Sequence, residues 1–308
     1  MTKIGIELGI RAPIEAIERA AQIADDNYVE YFLVSETHPE FFGVDALQTL
    51  LKISEKVNHV KLGTGIINVF SRTQEEILDR AGKIYKKTGG KFILGIGTSA
   101  PVIIEKLWKI EFKKPLSRLR DYSNFIKTKY SGPIYWAAVG DKTTKLAAEN
   151  ADGVIFFLKP RDQISNHIDL INSTLASLNK SKDKFNVISI IPTFFAKDNN
   201  QAKMTLASYI GANEFYSIPL TNSCFQDEVE KIKNAYEKVG LKEAAQNVGD
   251  ALVDELTVSG SVDTCKEKIS KMTKNTKLKT IILGFDLPED KYTDDFFEKL
   301  DKLLKSLQ

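Results

Sequence analysis

The sequence has 308 residues, of which 43% are hydrophobic and 27% are charged, and its formal net charge is +2. These values are ordinary for a soluble globular protein, and a chain of this size can bury a core that needs no disulfide or metal. The balance of charge gives no reason to expect a nucleic acid or a membrane surface as a partner.

The cysteines and the amino-terminal segment indicate which metal or thiol sites and which cellular location to expect. Cys224 and Cys265 lie far apart and form no CxxC pair, so a zinc site or a redox-active thiol pair is not expected. Residues 1–7 contain no apolar run of the signal-peptide kind, and no uninterrupted apolar stretch is long enough to span a bilayer. We therefore expect a cytoplasmic protein.

Short apolar runs alternate along the chain with segments of helical period. The runs are rich in Ile, Val and Leu and are bounded by Gly or polar residues, which is typical of parallel strands buried on both faces. In chain order the eight predicted strands cover residues 3–8, 31–35, 60–65, 92–97, 134–138, 153–157, 186–194 and 278–284. Apolar residues at the i, i+3, i+4 spacing predict helices that face a core. These helices cover residues 14–24, 73–87, 116–128, 141–149, 164–178 and 294–307.

This alternation predicts a parallel α/β fold. By itself it does not distinguish a closed barrel from an open sheet. However, residues 9–13, which follow the first strand, contain no GxGxxG motif, and this argues against a dinucleotide-binding Rossmann domain. A single (β/α)8 TIM barrel needs ~250 residues. We predict one such domain over residues 1–308, with extra helices over residues 202–254 between strands seven and eight.

In a TIM barrel the chemistry lies where strands end and βα loops begin. Glu7 lies in the otherwise apolar first strand, where burial would raise the pKa of its carboxyl group and suit it to general acid catalysis. An ion pair with a nearby Lys or Arg is the structural alternative. The second strand ends at Glu36 and His38, which could move protons, or could be a loop cap and an exposed histidine. His59 and His167 are expected at the surface, and three scattered histidines without an HxH motif are a poor set of metal ligands.

The next three strands end in small residues that could seat a planar ring or a phosphate. Glycines at these ends let a backbone approach a ligand closely, and neighbouring hydroxyl and amide groups can bind anionic oxygens. Ordinary tight βα turns are the alternative, with Asp141 as the N-cap of the helix after the fifth strand. The candidate binding residues are Gly65, Ile66, Asn68, Gly97, Thr98, Ser99, Ala138, Val139 and Gly140.

Several segments, in matching order over nearly the whole chain, resemble the bacterial-luciferase-like oxidoreductases. Residues 61–66, with Asn68 and residues 71–72, resemble the third-strand signature of that superfamily, and residues 92–97 resemble the fourth. The later matching segments are residues 114–115 with 120–121, 133–135 through 151–153, and 256–261. The resemblance implies a TIM barrel of luciferase-like type that binds coenzyme F420, or alternatively FMN. It also implies a small-molecule substrate and a homo-oligomer.

Within the superfamily, residues 4–7 are similar to the start of the coenzyme F420-dependent methylenetetrahydromethanopterin reductases. That branch implies that Glu7 is the active-site acid, with Glu36 as a second carboxylate. It also implies a non-prolyl cis peptide at Gly65–Ile66, in a bulge that backs the flavin ring. The resulting hypothesis is an oxidoreductase that passes a hydride from reduced F420 to a methylene-tetrahydropterin, a carrier of one-carbon units.

Three features depart from the family pattern. Glu36-Thr37 stands where the second strand usually carries Asp-His, residues 137–140 replace a Gly-Ala-Gln-Gly pattern, and the segment between Tyr130 and Pro133 is short. These changes bear on proton transfer, on the ring contact and on the substrate, respectively. Two other kinds of function stay open. One is an FMN-dependent luciferase-like monooxygenase or a different F420-dependent dehydrogenase, and the other is a catalytically silent flavin-binding protein.

Overall fold

Parallel strands form the centre of the molecule, which a computed structural model describes over residues 2–9, 11–36, 44–221 and 223–308. The strands are β1 (Lys3–Leu8), β2 (Tyr31–Val34), β3 (Lys61–Thr64), β4 (Ile67–Asn68), β5 (Phe92–Gly97), β6 (Ile134–Ala137), β7 (Gly153–Phe157), β8 (Asn186–Phe195), β9 (Val258–Gly260) and β10 (Thr280–Phe285). Neighbours pair in the order β1, β2, β3, β5, β6, β7, β8 and β10, and β10 pairs again with β1. The ring is therefore closed, and the fold is the predicted (β/α)8 barrel.

Helices connect the strands and cover the barrel. They are α1 (Ile14–Asp26), α2 (Ala46–Ile53), α3 (Gln74–Lys87), α4 (Pro101–Lys106), α5 (Pro115–Lys127), α6 (Asp141–Asn150), α7 (Arg161–Ser177), α8 (Asn200–Ala212), α9 (Glu214–Thr221), α10 (Gln226–Lys238), α11 (Leu241–Gln246), α12 (Asp250–Leu256), α13 (Val262–Asn275) and α14 (Asp294–Ser306). Thr73, Ser261 and Thr293 cap α3, α13 and α14 by accepting a backbone N–H from three residues on. In the described part of the chain, none of the helices has the length and apolar character needed to cross a membrane.

Apolar side chains pack on both sides of the strands, as their composition predicts. The interior of the barrel is filled by Tyr31, Leu33, Ile93, Tyr135, Ile155, Ile188, Ile190 and Ile282. A larger cluster fills the layer between the strands and the helices. Successive side chains of a strand point to opposite faces. Ile6 and Leu8 therefore pack in the outer layer, and Glu7 faces the interior.

The third strand is interrupted near its carboxyl end. β3 pairs with β2 and with the first half of β5, whereas β4 pairs with the last part of β5. Gly65 and Ile66 separate β3 from β4, and the peptide bond between them is cis. The cis bond expected from the resemblance is confirmed.

A helical excursion separates the last two barrel strands. The helices α8 to α12 occupy most of residues 200–256, in agreement with the helices predicted over residues 202–254. The excursion returns through β9, a strand that the sequence analysis did not predict. β9 pairs with residues 193–195 of β8, beyond residues 188–192 that pair with β10. Both ends of the excursion are thus fixed to the same strand.

Candidate active site

The predicted site residues lie at or beyond the carboxyl ends of neighbouring strands. Glu7 is the second-last residue of β1, and Glu36 follows β2 by two residues. The three groups of predicted binding residues lie at and after the ends of β3, β5 and β6. Because parallel strands end on the same side of a barrel, all these positions lie at one mouth. Thr37 and His38 lie outside the described residues.

Gly97, at the end of β5, lies between the predicted binding residues that follow β3 and those that follow β6. A Cβ atom on Gly97 would lie 3.0 Å from Ile66 Cδ1 and 2.9 Å from Ala137 Cβ. In the strand register Asn68 lies opposite Gly97. The absence of a side chain at this position lets the bulge after β3 and the end of β6 approach β5 from opposite sides.

Glu7 is a buried carboxyl group inside the mouth. The residue is 6% exposed, and its Oε1 atom lies 2.5 Å from the Ser35 hydroxyl. Its Oε2 atom faces Gly284 of β10, where a Cβ atom would lie 3.1 Å away. Burial, with a smaller contribution from the charge of Asp286, raises the pKa of Glu7 from its ordinary value of 4.5 to about 8, although the Ser35 hydrogen bond opposes the rise. Glu7 therefore keeps its proton at neutral pH.

The contacts of Ser35 indicate the same protonation state. Its Oγ atom lies 2.5 Å from Glu7 Oε1 and 2.8 Å from the Gly65 carbonyl oxygen. A hydroxyl group has one proton to donate, and a carbonyl oxygen can only accept. Both contacts are hydrogen bonds at the same time when Glu7 donates to Ser35 and Ser35 donates to Gly65. The protonated carboxyl group is thereby linked to the bulge after β3.

An ion pair lies beside Glu7, where β1 and β10 meet. Arg11 Nε donates to Asp286 Oδ1 over 3.1 Å, and Arg11 Nη2 donates to the Asp286 carbonyl oxygen over 2.7 Å. The side chains of Arg11 and Asp286 are 32% and 20% exposed. The negative charge of Asp286 helps to retain the proton of Glu7. The sequence analysis did not single out either residue, because Asp286 reaches the site from the far end of the chain.

Glu36 is held in a network of ion pairs. Its Oε1 atom accepts from Arg72 Nε over 2.6 Å, and its Oε2 atom accepts from the Ala46 backbone N–H over 3.2 Å. Arg72 also contacts Asp45 and Glu76. Burial raises the pKa of Glu36, and the Arg72 guanidinium opposes that rise. Since both carboxylate oxygens of Glu36 accept hydrogen bonds, the geometry favours a structural role that ties β2 to α2 and α3. The proton transfer predicted for Glu36 stays a prediction.

The polar residues that follow β4 and β5 take part in their own loops. Asn68 Oδ1 accepts the backbone N–H groups of Phe70 and Ser71 over 3.1 and 2.9 Å. Ser99 has a positive φ of 56°, and Thr98 Oγ1 donates to the Ser99 carbonyl oxygen over 3.2 Å. These contacts fix the shape of the two turns. Cofactor contacts by Asn68, Thr98 and Ser99 stay predictions.

The turn between β6 and α6 offers a place for an anion. The N-cap of α6 is Gly140, and Asp141 is the first helical residue. The alternative in which Asp141 is the N-cap is wrong, because Gly140 occupies that position. The Asp141 Oδ1 atom lies 2.7 Å from His167 Nε2 instead. The N–H groups of a first helical turn attract anions. A Cβ atom on Gly140 would meet no atom within 4 Å, so space beside the turn is open.

A buried lysine and a buried histidine underlie the same turn. Lys159 follows β7 and is 2% exposed, and its Nζ atom donates to the Val139 carbonyl oxygen. His167 of α7 is 5% exposed, so its expected surface position is wrong. It lies on the same buried helix face as Ile164 and Ile168. A lysine directly after an apolar strand is the sequence signal that could have revealed this pair.

Three aromatic rings form a wall beside the mouth. Phe157 ends β7, and Tyr209 and Tyr216 come from α8 and α9 of the helical excursion. The Phe157 ring centroid lies 5.1 Å from that of Tyr209 and 5.5 Å from that of Tyr216, and the two tyrosine centroids are 5.0 Å apart. Burial raises the pKa of Tyr216 to about 12, so its hydroxyl stays neutral. The excursion thus supplies apolar ring surface to the site.

A separate cavity of about 780 Å³ lies elsewhere on the rim, and none of the predicted site residues that the structure describes lines it. It is bordered by residues 195–199 and 259–264 and by Lys299 and Lys302. The lining mixes these lysines with acidic residues, so its charge selects no class of ligand.

Comparisons with known proteins agree with this architecture. A family model described as luciferase-like monooxygenase matches residues 1–132 and 127–276. The 5,10-methylenetetrahydromethanopterin reductase of Archaeoglobus fulgidus is 26% identical, over 94% of this chain and 95% of its own length. The coenzyme F420-dependent tetrahydromethanopterin reductase from Methanopyrus kandleri superposes with a TM-score of 0.79 at 18% identity, covering 99% of this chain and 96% of its own. An F420-dependent secondary alcohol dehydrogenase, solved with an F420–acetone adduct, superposes with a TM-score of 0.76 at 13% identity, covering 100% and 99%.

Proposed function

Because the chain belongs to the luciferase-like monooxygenase family, we propose that it is an oxidoreductase that transfers a hydride between reduced coenzyme F420 and a methylene-tetrahydropterin. The observation that carries the proposal is Glu7, a carboxyl group that keeps its proton at neutral pH inside the barrel mouth. Hydride addition to a methylene-bridged carbon needs an acid for the nitrogen that leaves it. The methylenetetrahydromethanopterin reductase from Archaeoglobus fulgidus supports this substrate class.

The residues present at the mouth fit a flat, phosphate-bearing cofactor. Gly65, Gly97 and Ala138 add no bulky side chain of their own at the ends of three neighbouring strands, and a Cβ atom on Gly140 would meet no atom within 4 Å. We propose that these residues and Ile66 hold the ring, and that the first turn of α6 holds the phosphate. When bound, the reduced cofactor supplies the hydride.

The chain itself supplies a proton and then stabilises the charge that remains. While Glu7 is protonated, we expect it to donate a hydrogen bond to Ser35, 2.5 Å away, so that Ser35 is free to donate to the Gly65 carbonyl oxygen. Once Glu7 has given its proton to the leaving nitrogen, its carboxylate can accept a hydrogen bond from the Ser35 hydroxyl group. A rotation of one hydroxyl group therefore stabilises the new charge without a movement of the backbone.

A cofactor and substrate screen tests the proposal. Purified protein would be incubated with reduced F420 and methylene-tetrahydromethanopterin or methylene-tetrahydrofolate, and oxidation of the cofactor followed by absorbance. We expect turnover with F420 and with at least one of the methylene carriers. Turnover only with reduced FMN and oxygen would instead identify a monooxygenase. Cofactor binding without any turnover would identify a silent flavin-binding protein.

A further inference from the structure

We propose that Lys159 and His167 share one exchangeable proton and act as the counter-charge for a phosphate group bound at the amino end of α6, so that this group binds together with a proton. The inference rests on the proposed function, because it takes the phosphate to belong to the cofactor. The pair is a positioning device, and it does not touch the reacting atoms.

Lys159 has little access to solvent and few polar neighbours. Its Nζ atom donates to the Val139 carbonyl oxygen, lies 2.8 Å from His167 Nδ1, and lies 4.6 Å from the centre of the Phe156 ring. Burial of an ammonium group is costly unless it is compensated. Here the compensation comes from one carbonyl dipole, one imidazole and one aromatic face.

The hydrogen bonds permit one extra proton on the pair, not two. His167 Nε2 lies 2.7 Å from Asp141 Oδ1, and a carboxylate only accepts, so Nε2 carries a proton. His167 Nδ1 then either accepts from Lys159 or, when it carries the shared proton, donates to a neutral Lys159 amine. A proton on both Lys159 and His167 Nδ1 would place two donors face to face over 2.8 Å. The two groups therefore titrate as one unit.

The surroundings shift the pKa of both groups, so that the shared proton exchanges near neutral pH. Burial lowers the pKa of Lys159 to about 7, and burial and Lys159 both lower the pKa of His167. Asp141, at the start of α6, is the carboxylate whose charge acts on both groups among the described residues, and it opposes both shifts. The Asp141 side chain is 88% exposed, so water screens its charge and protons can exchange through it.

The position of the Lys159–His167 pair next to the amino end of α6 indicates that the ligand it responds to is an anion. The carbonyl group that Lys159 contacts belongs to Val139, which immediately precedes the N-cap Gly140. An anion at the first turn of α6 would lie on the other side of this short segment. Its negative charge would favour the protonated pair, because opposite charges across a partly buried site interact strongly. Binding would then raise the pKa of the pair and take up a proton.

Calorimetry in buffers of different ionisation enthalpy measures such an uptake. The probes are oxidised F420 and the same deazaflavin alcohol without its phosphate, with FMN and riboflavin as a second matched pair. At pH 8 we expect uptake of up to about one proton with the phosphate-bearing ligand, and no uptake with the phosphate-free ligand. Lys159→Met should abolish the uptake and weaken the phosphate-bearing ligand roughly tenfold or more, while the phosphate-free ligand binds as before.

A matched control and a second measurement separate this role from a structural one. Lys145→Met removes an exposed lysine from α6 and should leave proton uptake unchanged. In the unaltered protein, which has three histidines, the imidazole NMR titration of His167 should move to higher pH when the phosphate-bearing ligand is added. Equal uptake with both ligands of a pair, or uptake that persists in Lys159→Met, contradicts the inference and leaves the proposed function intact. Failure of both pairs to bind contradicts the proposed function, and the inference falls with it.

Discussion

Glu7 owes its proposed role to neighbours from two distant parts of the chain, the ends of β2 and β10. Ser35 lowers its pKa, Asp286 raises it, and Gly284 leaves room for one of its oxygens. Burial of the carboxyl group has the largest effect on the pKa of Glu7. A carboxyl group that keeps its proton up to about pH 8 can serve as an acid under neutral conditions.

Glu7→Gln tests that role directly. The amide keeps the size and polarity of the side chain but has no proton to transfer, so kcat should fall by ~100-fold or more. Cofactor affinity, measured by fluorescence titration, should change little. A near-normal kcat with the correct substrate would exclude Glu7 as the acid and direct attention to Glu36 or His38.

The pH profile of the reaction should shift in opposite directions in two further variants. The rate of the unaltered protein should be constant below about pH 8 and fall above it, as Glu7 loses its proton. Ser35→Ala removes a hydrogen bond that lowers the pKa of Glu7, so the alkaline limb should move to higher pH. Asp286→Asn removes a negative charge that raises this pKa, so the limb should move to lower pH. If the rate fell at the same pH in both variants as in the unaltered protein, Glu7 would not control the pH profile.

Stability should also depend on pH through Glu7. The unfolded chain releases this proton near pH 4.5, whereas the folded chain keeps it up to about pH 8. The folded state therefore binds more protons between these values, and the free energy of unfolding falls as pH rises through this window. Glu7→Gln removes the effect, so its stability relative to the unaltered protein should rise from pH 5 to pH 8 by roughly 3–4 kcal/mol. Denaturant titrations at both pH values measure the difference, and parallel curves would contradict the assigned pKa.

At the scale of elements, the Arg72 network joins the end of β2 to α2 and α3. The Glu36 side chain is 1% exposed and that of Arg72 is 12% exposed, so neither charge is well solvated without the other. The turn that carries Glu36 also donates its backbone N–H to the Ile66 carbonyl oxygen over 3.3 Å. The network thus holds the bulge after β3 at a fixed distance from the second strand.

Arg72→Met should therefore be strongly destabilising. It leaves a buried carboxylate without its partner, which costs about 3–5 kcal/mol. The matched control is Lys83→Met in α3, the helix that follows Arg72, where the Lys83–Asp79 pair is 60% exposed on both sides. An exposed pair of this kind contributes less than about 1 kcal/mol. Equal denaturant midpoints for the two variants would contradict the proposed structural importance of the Arg72 network.

At the scale of the whole molecule, periodicity in the sequence was enough to predict a parallel α/β fold, and the missing GxGxxG motif and the resemblance to a known superfamily favoured the closed barrel. Buried parallel strands are continuous apolar runs, and these are visible locally. The strand β9 was missed because it has three residues and exists through its pairing with the end of β8. The burial of His167 was missed because it depends on how α7 packs. Asp286 and Lys159 were missed because local patterns do not show which strand ends meet in space.

The arrangement of β8 has a consequence for how this barrel can diversify. Residues 188–192 close the barrel through β10, and residues 193–195 receive β9, so the helices between leave and rejoin the scaffold at one point. The entropy of closing a loop grows only slowly with its length, and here the two ends are already held together. Insertion or deletion of helices in this segment should accordingly leave the barrel closed. The ring wall contributed by Tyr209 and Tyr216 therefore lies outside the closed barrel, whereas the acid proposed on β1 is part of the barrel itself.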